Sequence, residues 1–123
     1  MLKKNYKDLL VWQKAIQLAP HVYELVKKLP KEETFALGMQ IRRAVVSIAS
    51  NIAEGQARGH KKEFLQYLNI AKGSIAELRT QIIIAEKLDY LKHEEVRRIE
   101  NEIDILSKML HGLIKGLQSS IVK

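Results

Sequence analysis

The pattern of apolar and polar positions is clearest in residues 40–55, which read QIRRAVVSIASNIAEG. From Ile41, apolar residues recur at i, i+3, i+4, i+7, i+8, i+11 and i+12, the spacing of one broad buried face of an α-helix. No charged residue occurs between Ala44 and Ala53, even on the outward side, where Val46 and Ser50 lie. A helix that avoids charge all round is usually covered all round. In so short a chain we expect another subunit to provide the second cover, so we predict a homo-oligomer.

A polar stripe runs beside this apolar face, and a later segment carries a similar one. Each stripe lies at the margin of its helix's buried face, where a neighbouring helix would meet it. Small residues around Ser74 would let the two backbones approach closely, so we predict that the stripes face each other. We interpret them as a structural polar network that fixes helix register. Its predicted members are Gln40, Ser47, Asn51, Glu54, Ser74 and Glu77.

Helical periodicity extends over nearly the whole chain, and no segment shows the pattern of a strand. The predicted helices are residues 6–29, 31–57, about 61–88, and a fourth that begins near His93. Pro20 should bend the first helix, because proline lacks a backbone donor and clashes with the preceding turn. Short connections between four helices predict an all-α fold, an antiparallel up-down-up-down four-helix bundle in a single domain, 1–123.

Composition narrows the class of protein. The chain has 123 residues, of which 46% are hydrophobic and none is cysteine. The lack of cysteine excludes disulfides, thiolate metal sites and a cysteine nucleophile, and it fits a reducing cytoplasm. No run approaches the roughly 18 to 20 apolar residues of a membrane span, and the charged N-terminus lacks the apolar region of a signal peptide. We therefore expect a cytoplasmic protein without a membrane partner.

Candidate catalytic and metal chemistry is sparse. A di-metal bundle would need Glu-x-x-His motifs, and the sequence has none. The four histidines are scattered along the chain, at His21, His60, His93 and His111. Glu54 and Glu77 are the best candidates for paired catalytic carboxylates, but we favour their assignment to the structural network. We predict no enzyme activity, no metal and no cofactor.

The charge balance is strongly basic. Lys and Arg number 21 against 14 Asp and Glu, which gives a net charge of +7, and residues 1–30 alone carry six Lys against Asp8 and Glu24. Such a balance is typical of two situations: a basic soluble surface, or attraction to phosphate backbones. The sequence leaves both open.

Two groups of cations are candidates for binding nucleic acid. Arg42 and Arg43 are expected to add to either group across a subunit boundary. The first group is Lys3, Lys4, Lys7 and Lys14, and the second is Arg58, His60, Lys61 and Lys62. No helix-turn-helix, zinc finger or RNA-binding sheet is recognisable, so these contacts would hold phosphates with little sequence preference.

Three segments together resemble the 23S rRNA intervening-sequence protein family, over essentially the whole chain. They are LVWQKA at 10–15, the pattern QxxRAxxSIxxNIAEG at 40–55, and IAKGSIAEL at 70–78. The resemblance implies a small antiparallel bundle that assembles into a pentameric ring, and it implies no established catalytic residues. Some members are encoded within intervening sequences of bacterial 23S rRNA genes. The accessory protein of diversity-generating retroelements is similar in fold, basic and pentameric, and works with nucleic acid.

The sequence therefore predicts a non-catalytic homo-oligomer, a pentamer by resemblance, that associates with RNA or DNA, and most of all RNA, through basic patches. An alternative is an oligomeric scaffold or adaptor that binds another protein and uses its basic surface for solubility. Nuclease-sensitive absorbance at 260 nm accompanying the purified protein would separate the two.

Overall fold

Four α-helices account for most of residues 5–122, the part of the chain that the computed structural model describes. They are α1 (Leu10–Val26), α2 (Leu37–Ala57), α3 (Lys61–Lys87) and α4 (His93–Val122), and short 3₁₀ turns occur at Tyr6–Asp8 and Lys31–Glu33. None of the described residues lies in a strand. The structure confirms the predicted all-α class.

The helices form an antiparallel bundle. Each packs against its two neighbours, in the order α1–α2–α3–α4, and α4 closes the bundle against α1. We call the end where α1 and α3 begin and α2 and α4 finish the lower end, and the opposite end the upper end. This arrangement confirms the predicted up-down-up-down topology, and it places α2 diagonally across the core from α4.

The core contains the apolar stripes that the periodicity predicts. Removing these side chains from water is the main force that holds the helices together, at roughly 1.5–3 kcal/mol for each fully buried aliphatic side chain. The largest fully buried side chains include Leu18 and Val22 of α1, Val45, Ile48 and Ile52 of α2, Leu68, Leu78 and Ile82 of α3, and Ile103, Leu106 and Leu110 of α4.

The first two helices are shorter than predicted. α1 continues unbroken through Pro20 but ends at Val26, because proline at position 30 disfavours helical geometry in the residue before it. Pro30 itself is extended, with φ −59° and ψ 152°. Residues 31–36 form a 3₁₀ turn and a loop, and Glu33 then accepts a hydrogen bond from the backbone N–H of Leu37, 3.3 Å away, at the first residue of α2.

α2 and α3 approach each other closely near the lower end. A Cβ placed on Gly55 would lie 2.5 Å from Cβ of Tyr67 and 3.1 Å from Cδ1 of Phe64. Real Cβ atoms do not approach so closely, so glycine is needed there for steric reasons. The final glycine of the NIAEG segment therefore sets the spacing between the two helices.

Gly55→Ala should lower the free energy of unfolding by about 1–3 kcal/mol, the usual effect of overpacking. The matched control is Gly116→Ala in α4, where an added Cβ meets no heavy atom within 4 Å. That variant should gain about 0.5–1 kcal/mol from helix propensity. Urea unfolding followed by circular dichroism at one fixed protein concentration measures both. Equal stability of the two variants would contradict the close α2–α3 contact.

Candidate functional site

The centre of the α2–α3 contact is a small polar cluster. Ser47 Oγ lies 2.8 Å from Ser74 Oγ, and Asn51 Nδ2 donates to the backbone oxygen of Ser47 at 2.8 Å and to its Oγ at 2.9 Å. Ser74 is only 5% exposed, so its hydroxyl needs a protein partner. The two predicted polar stripes thus face each other at this level.

The other predicted members of the network lie above and below this cluster. Towards the upper end, Gln40 and Glu77 line a cleft of about 440 Å³ together with Arg43. Towards the lower end, the Glu54 carboxylate accepts hydrogen bonds from Arg58 Nη2 at 3.2 Å and from the Tyr67 hydroxyl at 3.4 Å. The polar stripes therefore occupy three levels along one seam, and Ser47 borders both the central cluster and the cleft.

The two carboxylates considered as a catalytic pair are not brought together. Glu54 lies level with Tyr67, and Glu77 comes ten residues after Tyr67 along α3, which is about 15 Å of helix axis. Glu54 is also turned towards Arg58, away from Glu77. Within residues 5–122, no three histidine, cysteine or acidic side chains gather closely enough to hold a metal ion.

Tyr67 is a site residue that the sequence does not reveal, because its position in the helical period is that of a core residue. Its hydroxyl lies 2.7 Å from Arg58 Nη2, and the guanidinium carbon of Arg58 lies 5.2 Å from its ring centroid, within range of a cation–π contact. Glu54, and then Tyr67, raise the pKa of Arg58 above its ordinary value, so the guanidinium remains charged. The one sequence signal for Tyr67 is that it lies seven residues, or two helical turns, before Ser74 on the polar stripe of α3.

The lower end brings together most of the predicted phosphate-binding cations. Lys7 lies in the 3₁₀ turn before α1, and its backbone oxygen accepts a hydrogen bond of 2.8 Å from Gln13 Nε2. Lys14 lies one turn into α1 and is half-buried. Arg58, Lys61 and Lys62 surround the α2–α3 connection, and Lys61 Nζ donates to Ser120 Oγ near the end of α4. His60 is exposed beside them, whereas Lys3 and Lys4 lie outside the described residues.

Arg42 and Arg43 lie towards the upper end, so within a single chain they are far from the lower-end cations. Arg43 precedes Arg58 by fifteen residues of α2, about 22 Å of helix axis. Arg42 is half-buried and donates from Nη2 to the backbone oxygen of Thr34 at 2.9 Å, which ties the α1–α2 loop to α2. Their joining the group across a subunit boundary stays a prediction.

Cations at the upper end are largely matched by carboxylates. Lys27 pairs with Glu24 at 3.0 Å, His93 lies 2.8 Å from Glu86, and Lys28 binds Glu95. Lys28, and then the backbone N–H of Lys92, lower the pKa of Glu95 below its ordinary value, which keeps this carboxylate ionised. Among the described residues, the acids near the lower end are Asp8, Glu54 and Glu63. The unmatched positive charge therefore lies at the lower end.

The fold and the distribution of charge define a small all-helical bundle protein with one basic end. The chain belongs to the 23S rRNA-intervening sequence protein family, whose model matches residues 7–112. This confirms the predicted family resemblance. None of the described helices is long and apolar enough to cross a membrane.

A solved structure supports the same assignment. The chain is similar to a protein of unknown function from the S23 ribosomal protein family of Bacteroides thetaiotaomicron VPI-5482, with 27% sequence identity and a TM-score of 0.79. The similarity covers 86% of this chain and 99% of that chain. No protein of curated function matches the sequence. Neither description names a catalytic activity.

The Ser47–Ser74 contact should be measurable as a coupling energy. Ser47→Ala leaves the buried hydroxyl of Ser74 without its partner, which costs about 1–3 kcal/mol, whereas Ser47→Ala with Ser74→Ala removes both groups. We expect the double variant to be about 1 kcal/mol more stable than the sum of the single effects. Urea unfolding of the four proteins in the cycle measures this. As a control, the same cycle with Ser119→Ala, an exposed residue, in place of Ser74→Ala should be additive. If the Ser47/Ser74 cycle is additive as well, the contact between the two hydroxyls is contradicted.

Proposed function

We propose that this protein is a non-catalytic homo-oligomer that associates with RNA through the cations at its lower end. The observation that carries the proposal is the excess of cations over acids at the lower end. Lys7, Lys14, Lys61 and Lys62 lie there beside Arg58, which is paired with Glu54, whereas Lys27 and Lys28 at the upper end pair with Glu24 and Glu95. Unmatched cations on one surface attract phosphates and release the counterions condensed around them. Such binding depends on backbone charge and has little sequence preference.

The position of Lys61 and Lys62 adds a second argument. Both are exposed in the first turn of α3, at the positive end of its helix dipole. Cations are unfavourable there, by roughly 0.3–1 kcal/mol each at low ionic strength. Helix stability therefore does not account for them, whereas a phosphate held at a helix N-terminus would be attracted by both the dipole and the ammonium groups.

The outer face of α2 supports self-association. Val46 is 45% exposed and Ser50 is also exposed, in the middle of a stretch without charge. Exposed apolar side chains flank this face on both neighbouring helices: Ile16 and Tyr23 on α1, and Ile70 and Ile84 on α3. Exposed apolar side chains grouped beside an uncharged stretch are typical of a protein–protein contact, and a second copy of the chain would cover them.

Assembly would strengthen the attraction for RNA. A closed ring repeats the lower-end cations around its axis, so one strand could meet several copies of the same weak site. A pentamer would carry five times the +7 charge of a single chain. The coupling between assembly and charge is the mechanism that we propose for binding.

Ser50→Glu tests the self-association face. The new carboxylate points outward in a single chain, so the helices should remain folded, but it would be buried without a partner in an assembly. We expect light scattering after size exclusion to show wild type as a multiple of the 14.1 kDa chain and the variant as mainly monomer. Asn101→Glu, on the exposed side of α4, is the matched control and should assemble like wild type. A monomeric wild type would overturn the proposed assembly.

Lys61→Gln with Lys62→Gln tests the RNA interface. The variant should be slightly more stable than wild type, because two cations leave a helix N-terminus, yet it should bind a fluorescent oligouridylate more weakly. For single-stranded RNA, each phosphate contact contributes about 0.7 to the slope of log K against log salt concentration, so we expect the slope to fall by at least about 1.4. Fluorescence anisotropy at several salt concentrations measures it.

The control for this experiment is Lys31→Gln with Lys87→Gln, two exposed cations near the upper end, and its slope should stay close to that of wild type. If the protein assembles but binds no RNA at any salt concentration, the proposed function is wrong and an adaptor role becomes the better account. Equal loss in both double variants would show that net charge alone, and not the lower end, is responsible.

A further inference from the structure

A cationic groove runs between α3 and α4 in the lower half of the bundle. Its volume is about 350 Å³. The polar lining consists of Lys72 from α3 and Ser107, Lys108 and His111 from α4, and the apolar floor consists of Leu110 and Ile114. None of these residues belongs to the cation groups that the sequence predicted.

No carboxylate lines this groove. Residues 105–122 of α4 contain no Asp or Glu, and neither do residues 64–76 of α3. The nearest acid above the groove, Asp104, is already engaged by Arg79 Nη1 at 2.9 Å. A groove that offers ammonium groups, a hydroxyl and an imidazole without an acid has the chemistry of an anion site.

The groove continues towards the lower end. Lys61 and Lys72 are eleven residues apart on α3, which places them on the same side of the helix at about 16 Å along its axis. Lys61 reaches across to Ser120 of α4 at the lower end, so the furrow between the two helices carries a cation there as well as at the groove. A single small anion would occupy one point of this furrow, whereas a polyanionic strand could contact both positions.

We propose that the α3–α4 groove binds the sugar-phosphate backbone of an RNA strand that continues onto the lower end. This inference rests on the proposed RNA association and names a further part of the surface that carries it. Lys72, Lys108 and Ser107 donate to phosphate oxygens, and the apolar floor receives a ribose or the face of a base. Because α4 lies diagonally opposite α2, the groove and the outer face of α2 are on different sides of the bundle.

Gly112 provides a test that separates binding from folding. It lines the groove, and a Cβ added there meets no heavy atom within 4 Å. Gly112→Ala and Gly112→Glu should both raise Tm, by about 4 °C, because both residues favour a helix over glycine. Gly112→Ala should bind oligouridylate like wild type. Gly112→Glu puts a carboxylate beside the cations and should weaken binding about fivefold or more.

Lys72→Gln with Lys108→Gln provides the complementary test by removing the two ammonium groups. We expect the salt slope of oligouridylate binding to fall by at least about 1.4. The control is again Lys31→Gln with Lys87→Gln, which makes the same change in net charge and should leave the slope near that of wild type. The histidine ring signals in NMR spectra provide a local readout, and those of His111 should shift when oligouridylate is added.

The outcomes distinguish the two proposals. If wild type binds RNA and the Lys61/Lys62 variant is weakened, but the Lys72/Lys108 and Gly112→Glu variants bind like wild type, the groove inference is wrong and the proposed function stands. If His111 responds to inorganic phosphate but not to oligouridylate, the groove takes a free anion and the inference is also wrong. If wild type binds no RNA at any salt concentration, both proposals fail.

Discussion

The close packing of α2 against α3 is the constraint on which the other features depend. Gly55 lets the two helices approach until only glycine fits against Tyr67, and the Ser47–Ser74 contact fixes their register higher up. A shift of one residue would rotate each helix by about 100° and separate these hydroxyls. The same register places Glu54 where it can hold Arg58 against the ring of Tyr67. Packing, polar satisfaction and the position of a candidate binding cation thus follow from one helix pair.

Much of the fold could be predicted from the sequence, because the 3.6-residue period of apolar side chains carries the information about which face is buried. The prediction failed where local bonding competes with that period. Residues 27–36 are not α-helical, since Pro30 interrupts the backbone and Glu33 bonds to the start of α2. Tyr67 was missed for a different reason. A tyrosine at the edge of a core occupies an apolar position of the helical period. Only its contacts with the neighbouring helix show that its hydroxyl forms hydrogen bonds.

The candidate site was predictable only in part, because the order of charged residues along the sequence does not show which of them lie close together in the folded chain. The antiparallel topology brings Lys7 and Lys61 to one end, although 54 residues separate them. It also places Arg43 towards the other end, although the helix that contains Arg43 ends just before Arg58. The α3–α4 groove escaped notice because Lys72 and Lys108 are isolated cations in the sequence. Their significance lies in the absence of acids nearby on both helices, which is a property of the paired surface.

The diagonal placement of α2 and α4 separates two physical requirements that would conflict on one surface. An interface between subunits favours an uncharged face, because burying an unpaired charge costs several kcal/mol. A phosphate-binding surface requires unmatched charge, and it must remain open to solvent until the ligand arrives. In this bundle the uncharged stretch lies on α2, and the acid-free cationic stretch lies on the last part of α4. Self-association through the first surface would repeat the second in every subunit, so that weak contacts in each subunit add along one strand.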